Sequence, residues 1–171
     1  MKERIREIFD NEASAIQNIP ITGSFGKAIE IIYSHVHRKN GKLVTSGMGK
    51  AGQIAHDIAT TFSSTGTPAV YLHPSEAQHG DLGILQQNDV LFVISNSGKT
   101  RELIELMNLK NNLYPMIPVI VITSNTDSPL AEKADCCIFT GNPSEVCPLG
   151  LTPTTSTTVM TVIGDALVVL M

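Results

Sequence analysis

Charge is scarce in this sequence: 16% of its 171 residues are charged, against 42% that are apolar. That balance suits an α/β protein whose sheet is covered on both faces, and equally one with surface buried against a partner subunit. There is no basic run, and the formal net charge is −4, which argues against nucleic acid or an anionic membrane as the main partner. No segment reaches about 18 uninterrupted apolar residues, so no bilayer-spanning helix is expected. The N-terminus, Met1-Lys-Glu-Arg-Ile-Arg-Glu-Ile8, is charged and amphipathic and lacks the apolar centre of a signal peptide. Cysteine is limited to Cys136, Cys137 and Cys147, odd in number and without a C-x-x-C, which reads as reduced thiols in a cytoplasmic protein. The length is that of one domain with a full core.

What is present is an alternation of elements. Apolar residues at helical spacing mark helices over 3–18 and 24–38, both ahead of any strand. Lys42–Ser46 is a short strand, followed by a glycine turn and a helix carrying Ile54, Ala55, Ile58, Ala59 and Phe62 on one face. Strands are expected at 69–72, 90–94, 118–122 and 136–139; their near-continuous apolar character fits a parallel sheet buried on both sides. Helices are clearest over 100–110 and 129–134, and from Thr155 an apolar helix runs to Met171. Alternating strands and helices predict a parallel sheet with right-handed crossovers and a ligand site beyond the strands' carboxyl ends.

Three of those ends are chemically alike. They read Thr45-Ser46-Gly47, Ser95-Asn96-Ser97-Gly98 and Thr123-Ser124-Asn125. A triphosphate loop would need G-x-x-x-x-G-K-[ST], but the first glycine is Val93 for one loop and Val44 for the other. Gly47, Gly49 and Gly52 have dinucleotide-loop spacing, yet residues 67–72 supply no acid for a ribose. A monophosphate remains: hydroxyls and helix N-terminal amides satisfy its oxygens, and the helix dipole favours its charge.

Those residues resemble a SIS (sugar isomerase) domain, and within it the D-arabinose-5-phosphate isomerases. The matching strings are SGMGKAG (46–52), FSSTGTPAVYLHPSEAQHGDLG (62–83), the ISNSGKT loop followed by Glu102, and EVCPLGLTPTTSTT (145–158). The resemblance implies a flavodoxin-like three-layer αβα sandwich with a five-stranded parallel sheet. It also implies interconversion of D-ribulose 5-phosphate and D-arabinose 5-phosphate on the way to the eight-carbon sugar acid (Kdo) of lipopolysaccharide or capsule. No cofactor is expected, and tetramers with sites between subunits are. Carried over by position, the phosphate contacts fall on Ser46, Ser95, Asn96, Ser97 and Thr100, and the catalytic groups on Lys50, His79, Glu102 and Glu145. Gly47, Lys99 and His73 are additional candidates.

Three departures from the family pattern accompany the match. Lys99 stands where an acid is usual. The two CBS regulatory domains of many relatives are not in this chain, and a further family histidine falls past Met171, so residues 1–171 are expected to be a single sugar-phosphate domain truncated at its C-terminus.

An aldose–ketose isomerase moves a proton between C1 and C2, which needs a base above the carbon plane and polarisers at two oxygens. A carboxylate or neutral imidazole serves when desolvation brings its pKa toward neutrality. Glu145 reads by default as a helix cap or a solvated acid, and Glu102 equally as a first-turn acid stabilised by the dipole. Lys50 opens a helix, where a cation is disfavoured, so a ligand's charge is expected to compensate it. His35, His37 and His56 are expected to be structural, and no H-x₃₋₅-H with C-x-x-C order suggests zinc. Cys136 and Cys137 should point to opposite faces of their strand. Two rivals stand beside the isomerase: a non-catalytic sugar-phosphate sensor, which needs the serine loop alone, and an isomerase or epimerase of another phosphosugar.

Overall fold

The computed structural model describes residues 1–171. In chain order it contains α1 (Lys2–Gln17), α2 (Gly23–Ile32, running on through a π-helical turn at Tyr33–His37), β1 (Leu43–Gly47), α3 (Gly49–Ser64), β2 (Ala69–Tyr71) and α4 (Pro74–Ala77). A 3-10 turn at Asp81–Ile84 leads to β3 (Val90–Ile94), α5 (Arg101–Leu113), β4 (Val119–Thr123), α6 (Pro129–Glu132), β5 (Cys136–Phe139) and α7 (Thr155–Leu170).

All five strands are parallel, in the order β2-β1-β3-β4-β5. This is the flavodoxin-like order, and it reverses at β1: the chain steps outward to β2, then returns to lay β3 on the other side. Every residue of β1, β3 and β4 is buried, as the near-continuous apolar character of β3 and β4 predicts. The edge strands differ, β2 being half-buried and β5 alternating, with Cys136 buried and Cys137 partly exposed.

Alternation along the strands builds two cores. Phe92, Ile94, Ile120, Ile122 and Ile138 pack with Ile32 of α2, Phe62 of α3 and Ile163 of α7. On the opposite face Leu91, Val93, Val119 and Val121 meet Leu103, Leu106 and Met107 of α5 and Leu130 of α6. Each such aliphatic or aromatic side chain removed from water contributes about 1.5–3 kcal/mol. The two layers of helices enclosing the sheet give the expected αβα sandwich. α7 reaches α3 closely because residue 164 is glycine: a Cβ there would collide with Ile58 Cδ1. α1 has no buried residue and packs on α7.

Between β2 and β3 lie α4 and the 3-10 turn, with Pro74 at the first helical position where its missing N–H costs nothing. No helix is long and apolar enough to cross a membrane.

Candidate active site at the β1–β3 crevice

A cavity of about 340 Å³ opens beyond the carboxyl ends of β1 and β3, where the strand order reverses. One wall comes from the β1–α3 turn (Met48, Lys50, Ala51), a second from the β3–α5 loop (Ile94 to Ser97, and Thr100). The third is supplied by Glu145, by Gly150, Leu151 and Pro153, and by Ser156, Thr157 and Met160 of α7.

The β3–α5 loop is shaped by its own hydroxyls. Ser95 Oγ accepts the Gly98 amide at 3.1 Å and stands 2.8 Å from Thr100 Oγ1, while Ser97 Oγ accepts the Lys99 amide at 3.2 Å. Gly98 has φ +64°, and a Cβ there would collide with Ser128 Oγ, so the residue type is dictated both by backbone and by space. Thr100 is the N-cap of α5 but gives no side-chain cap, which leaves first-turn amides for an anion. Asn96 and Ser97 are exposed, Ser95 is buried at its base.

The third hydroxyl-rich strand end does not line the cavity. Thr123 Oγ1 and Ser124 Oγ both donate to the Asn96 carbonyl, at 3.1 and 2.7 Å, and Asn125 Nδ2 donates to the Ser97 carbonyl at 3.3 Å. It props the phosphate-type loop from behind.

Ser46 is one of the expected phosphate contacts. It is fully buried within β1 and its hydroxyl donates to the Leu72 carbonyl at 2.7 Å, bridging to β2 rather than facing the cavity. Gly47 and Gly52 have a packing role. A Cβ on Gly52 would lie 2.6 Å from the Gly47 carbonyl oxygen, which also accepts the Tyr71 hydroxyl at 2.8 Å. Lys50 lines the cavity, exposed at the start of α3, with Gln53 Oε1 3.3 Å from its Nζ. Lys99 is exposed and is not among the lining residues.

Glu145 joins both of its sequence readings. It lines the cavity, and it caps α7: one carboxylate oxygen accepts the Thr154 amide at 2.8 Å, the Thr154 hydroxyl at 3.0 Å and the Ser156 amide at 3.3 Å. The other accepts the Ser156 hydroxyl in a short hydrogen bond. Burial pushes its pKa up, but the bonds from Ser156 and Thr154 outweigh burial and hold it below the ordinary carboxyl value. That direction is opposite to the rise toward neutrality that desolvation alone would give a carboxylate.

The remaining candidates stand apart from the cavity in the single chain. Glu102 is half-buried in the first turn of α5 but outside the lining. His79 is exposed beyond α4, its amide bonded to the Glu76 carbonyl. His73 is the N-cap of α4, edge-on to Tyr71, with a buried Nδ1 that has no partner. Conversely, Ser156, Thr157 and Met48 are lining residues that the sequence reading did not single out. The run TPTTSTT ahead of an apolar helix was the available signal, since hydroxyls crowded at a helix start can cap its amides or meet a ligand. The Cys147 thiol accepts the Leu151 and Thr152 amides, both at 3.1 Å, and so folds the segment that carries Gly150 and Leu151. The Thr152 amide pulls its pKa below the usual thiol value. No three His, Cys, Asp or Glu side chains are grouped so as to hold a metal ion.

A family model described as the SIS domain matches residues 36–170. Among curated proteins, the arabinose 5-phosphate isomerase KdsD of Francisella tularensis is 43% identical over 165 residues, covering 95% of this chain and 50% of that protein. The protein of the same name from Yersinia pestis is 46% identical over 149 residues, covering 87% of this chain and 44% of that one. This chain thus spans half or less of the length of the curated relatives it matches. Among solved structures, a candidate phosphosugar isomerase involved in capsule formation, from Bacteroides fragilis, is 66% identical with a TM-score of 0.99, covering 99% of this chain and 88% of that one. An Escherichia coli CFT073 protein in complex with arabinose 5-phosphate is 36% identical with a TM-score of 0.90, covering 97% and 86%.

Proposed function

This chain belongs to the SIS domain family, and from that premise we propose that it interconverts D-ribulose 5-phosphate and D-arabinose 5-phosphate through an enediol. The observation that carries the reading is that Lys50 and Glu145 line the same cavity as the Ser95–Thr100 loop. A phosphate in that loop is met by Ser97 and Thr100 hydroxyls, by the α5 amides and by the favourable end of the helix dipole. The open-chain sugar then extends toward Lys50 and Glu145. A base removes a proton from C1 of the ketose, electrons shift to form the C1–C2 double bond and the C2 oxygen takes up a proton to give the enediol; the O1 proton then leaves as a proton returns at C2, giving the aldose. The charge on Lys50 stabilises the oxygen that becomes negative as the proton leaves. The reaction is a redistribution within one molecule, so no oxidant, reductant or cofactor enters.

The product feeds synthesis of the eight-carbon sugar acid of lipopolysaccharide or capsule, in the cytoplasm. Residues 1–171 act as one sugar-phosphate isomerase domain. The working unit is a homotetramer with sites between subunits, in which His79, exposed and remote from its own cavity, serves a neighbour's. Similarity to the KdsD relatives and to the neighbour that holds arabinose 5-phosphate supports the pentose over other phosphosugars.

A non-catalytic sensor is the rival, and it needs only the serine loop. It gives no reason for a lysine at an unfavourable helix start and an ionised glutamate to share the cavity. Incubating the protein with D-ribulose 5-phosphate and following D-arabinose 5-phosphate by NMR decides between them: binding without conversion leaves the sensor.

A further inference from the structure

Glu145 is not wedged in place by packing. The catalytic-side cavity lies on one flank, and a second cavity of about 380 Å³ lies on the other, lined by Asn11 and Ser14 of α1, by Asn18 just past its end, and by Thr140 and Ser144. With open space on two sides, the position of its carboxylate depends on the hydrogen bonds from Thr154 and Ser156. What holds those two residues therefore decides where the carboxylate stands.

A second carboxylate grips the same turn. Glu12, on α1, accepts the Thr155 hydroxyl at 3.2 Å on one oxygen and the Thr158 hydroxyl at 2.6 Å on the other. Thr155 is 1% exposed, and its Oγ1 also accepts the amide of Val146, the residue after Glu145, at 3.2 Å. One hydroxyl thus donates to Glu12 and receives from the backbone beside Glu145. The two bonds are mutually strengthening, because a hydroxyl that gives its proton to a carboxylate becomes a better acceptor. The negative charge of Glu12 also lies at the positive end of α7. Glu12 sits on a helix with no fully buried residue, and its bonds to Thr155 and Thr158 tie α1 to the first turn of α7.

We infer that Glu12 is a positioning residue for Glu145: through Thr155 and Thr158 it fixes the first turn of α7, and through Thr155 the chain at Val146, so that α1 sets the carboxylate in the cavity. The inference rests on the isomerase reading for its kinetic test and has a second test that does not.

In the full chain, Glu12→Ala lowers kcat for D-ribulose 5-phosphate about tenfold, since small displacements of a reacting group cost rate steeply, while KM stays within about twofold. The phosphate-type loop makes no contact with Glu12, which is why KM is spared. Glu12→Gln keeps an acceptor oxygen for one of the two hydroxyls and recovers part of kcat. Ile16→Ala loosens the apolar seat of α1 without touching the carboxylate, so it lowers Tm and leaves kcat unchanged. If Glu12→Ala and Ile16→Ala behave alike, Glu12 only holds α1 down and the inference is overturned. The second test needs no substrate: the side-chain carboxyl ¹³C resonance of Glu145 is titrated in the unaltered protein and in Glu12→Ala. Loosened hydrogen bonds move its midpoint up toward the ordinary carboxyl value; an unmoved midpoint overturns the inference. A wild-type protein that fails to isomerise, with the Glu145 midpoint still raised in Glu12→Ala, sinks the isomerase reading and leaves the positioning role standing.

Discussion

Ser95 Oγ and Thr100 Oγ1 face each other at 2.8 Å across the mouth of α5, and the same Ser95 oxygen takes the Gly98 amide. Ser95 is thus committed to the shape of the loop, whereas Ser97 is exposed and accepts only the Lys99 amide. The two serines should therefore fail differently. Ser97→Ala is expected to raise KM for the sugar phosphate about tenfold, from roughly 1.5 kcal/mol for a hydrogen bond to a charged group, with kcat nearly unchanged. Steady-state kinetics checks it, and the unphosphorylated sugar, turned over at the same rate as the phosphate ester, is the result that sinks phosphate recognition by this loop.

Gly98→Ala tests the frame of that loop. At φ +64°, with Ser128 Oγ in the way of the new Cβ, the substitution must move both backbone and neighbour. A loss of stability of at least about 1 kcal/mol is expected, together with a raised KM. Urea denaturation gives the first and initial rates the second.

Glu145 makes the pH dependence predictable in sign. Its folded-state pKa lies below the unfolded value, so the native state releases this proton more readily. The stability it contributes is fully present above the ordinary carboxyl pKa and is lost as pH falls through the folded value. Tm of the wild type and of Glu145→Gln, compared between about pH 7 and about pH 3, should differ most at the upper end and converge at the lower. At neutral pH the same substitution should lower kcat about 10²–10⁴-fold with a smaller change in KM.

His79 gives a test of sites shared between subunits. His79→Asn and Glu145→Gln proteins should each be nearly inactive. Mixed under conditions that allow subunits to exchange, they should regain activity, because some interfaces then pair an intact His79 with an intact Glu145. Mixtures no more active than their components would place the histidine outside the neighbour's site.

Most of the architecture is legible in the sequence because it depends on patterns several residues long. Runs such as Val90–Ile94 and Val119–Ile122 are apolar on both faces, which a covered parallel strand demands, and the hydroxylated end of the first opens where the strand order reverses. What each hydroxyl does is not legible, because it turns on a single residue. Ser46 lies one place inside β1 and bonds Leu72, whereas Ser95 lies one place beyond β3 and shapes the loop. Thr123 and Ser124 look like ligand contacts in sequence and spend themselves on the Asn96 carbonyl. Glu145 could be read as cap or as site residue; the fold brings α7 to the crevice, so one carboxylate is both. Glu102 and His79 match the isomerase strings, yet neither lines the cavity, and matching strings do not say where a side chain stands relative to it.

The lining of the crevice begins at Met48 and ends at Met160. Three walls come from three distant stretches of chain, and no single supersecondary unit contains the site. A nascent chain still short of α7 has the serine loop but not the third wall, so the lining is complete only with that helix. For the finished protein the corollary is thermodynamic. Detaching either α3 or α7 dismantles the ligand's surroundings, so a bound sugar phosphate suppresses partial as well as global unfolding. At a concentration about one hundred times its Kd it would deepen the folded state by about 2.7 kcal/mol, felt by every element between α3 and α7.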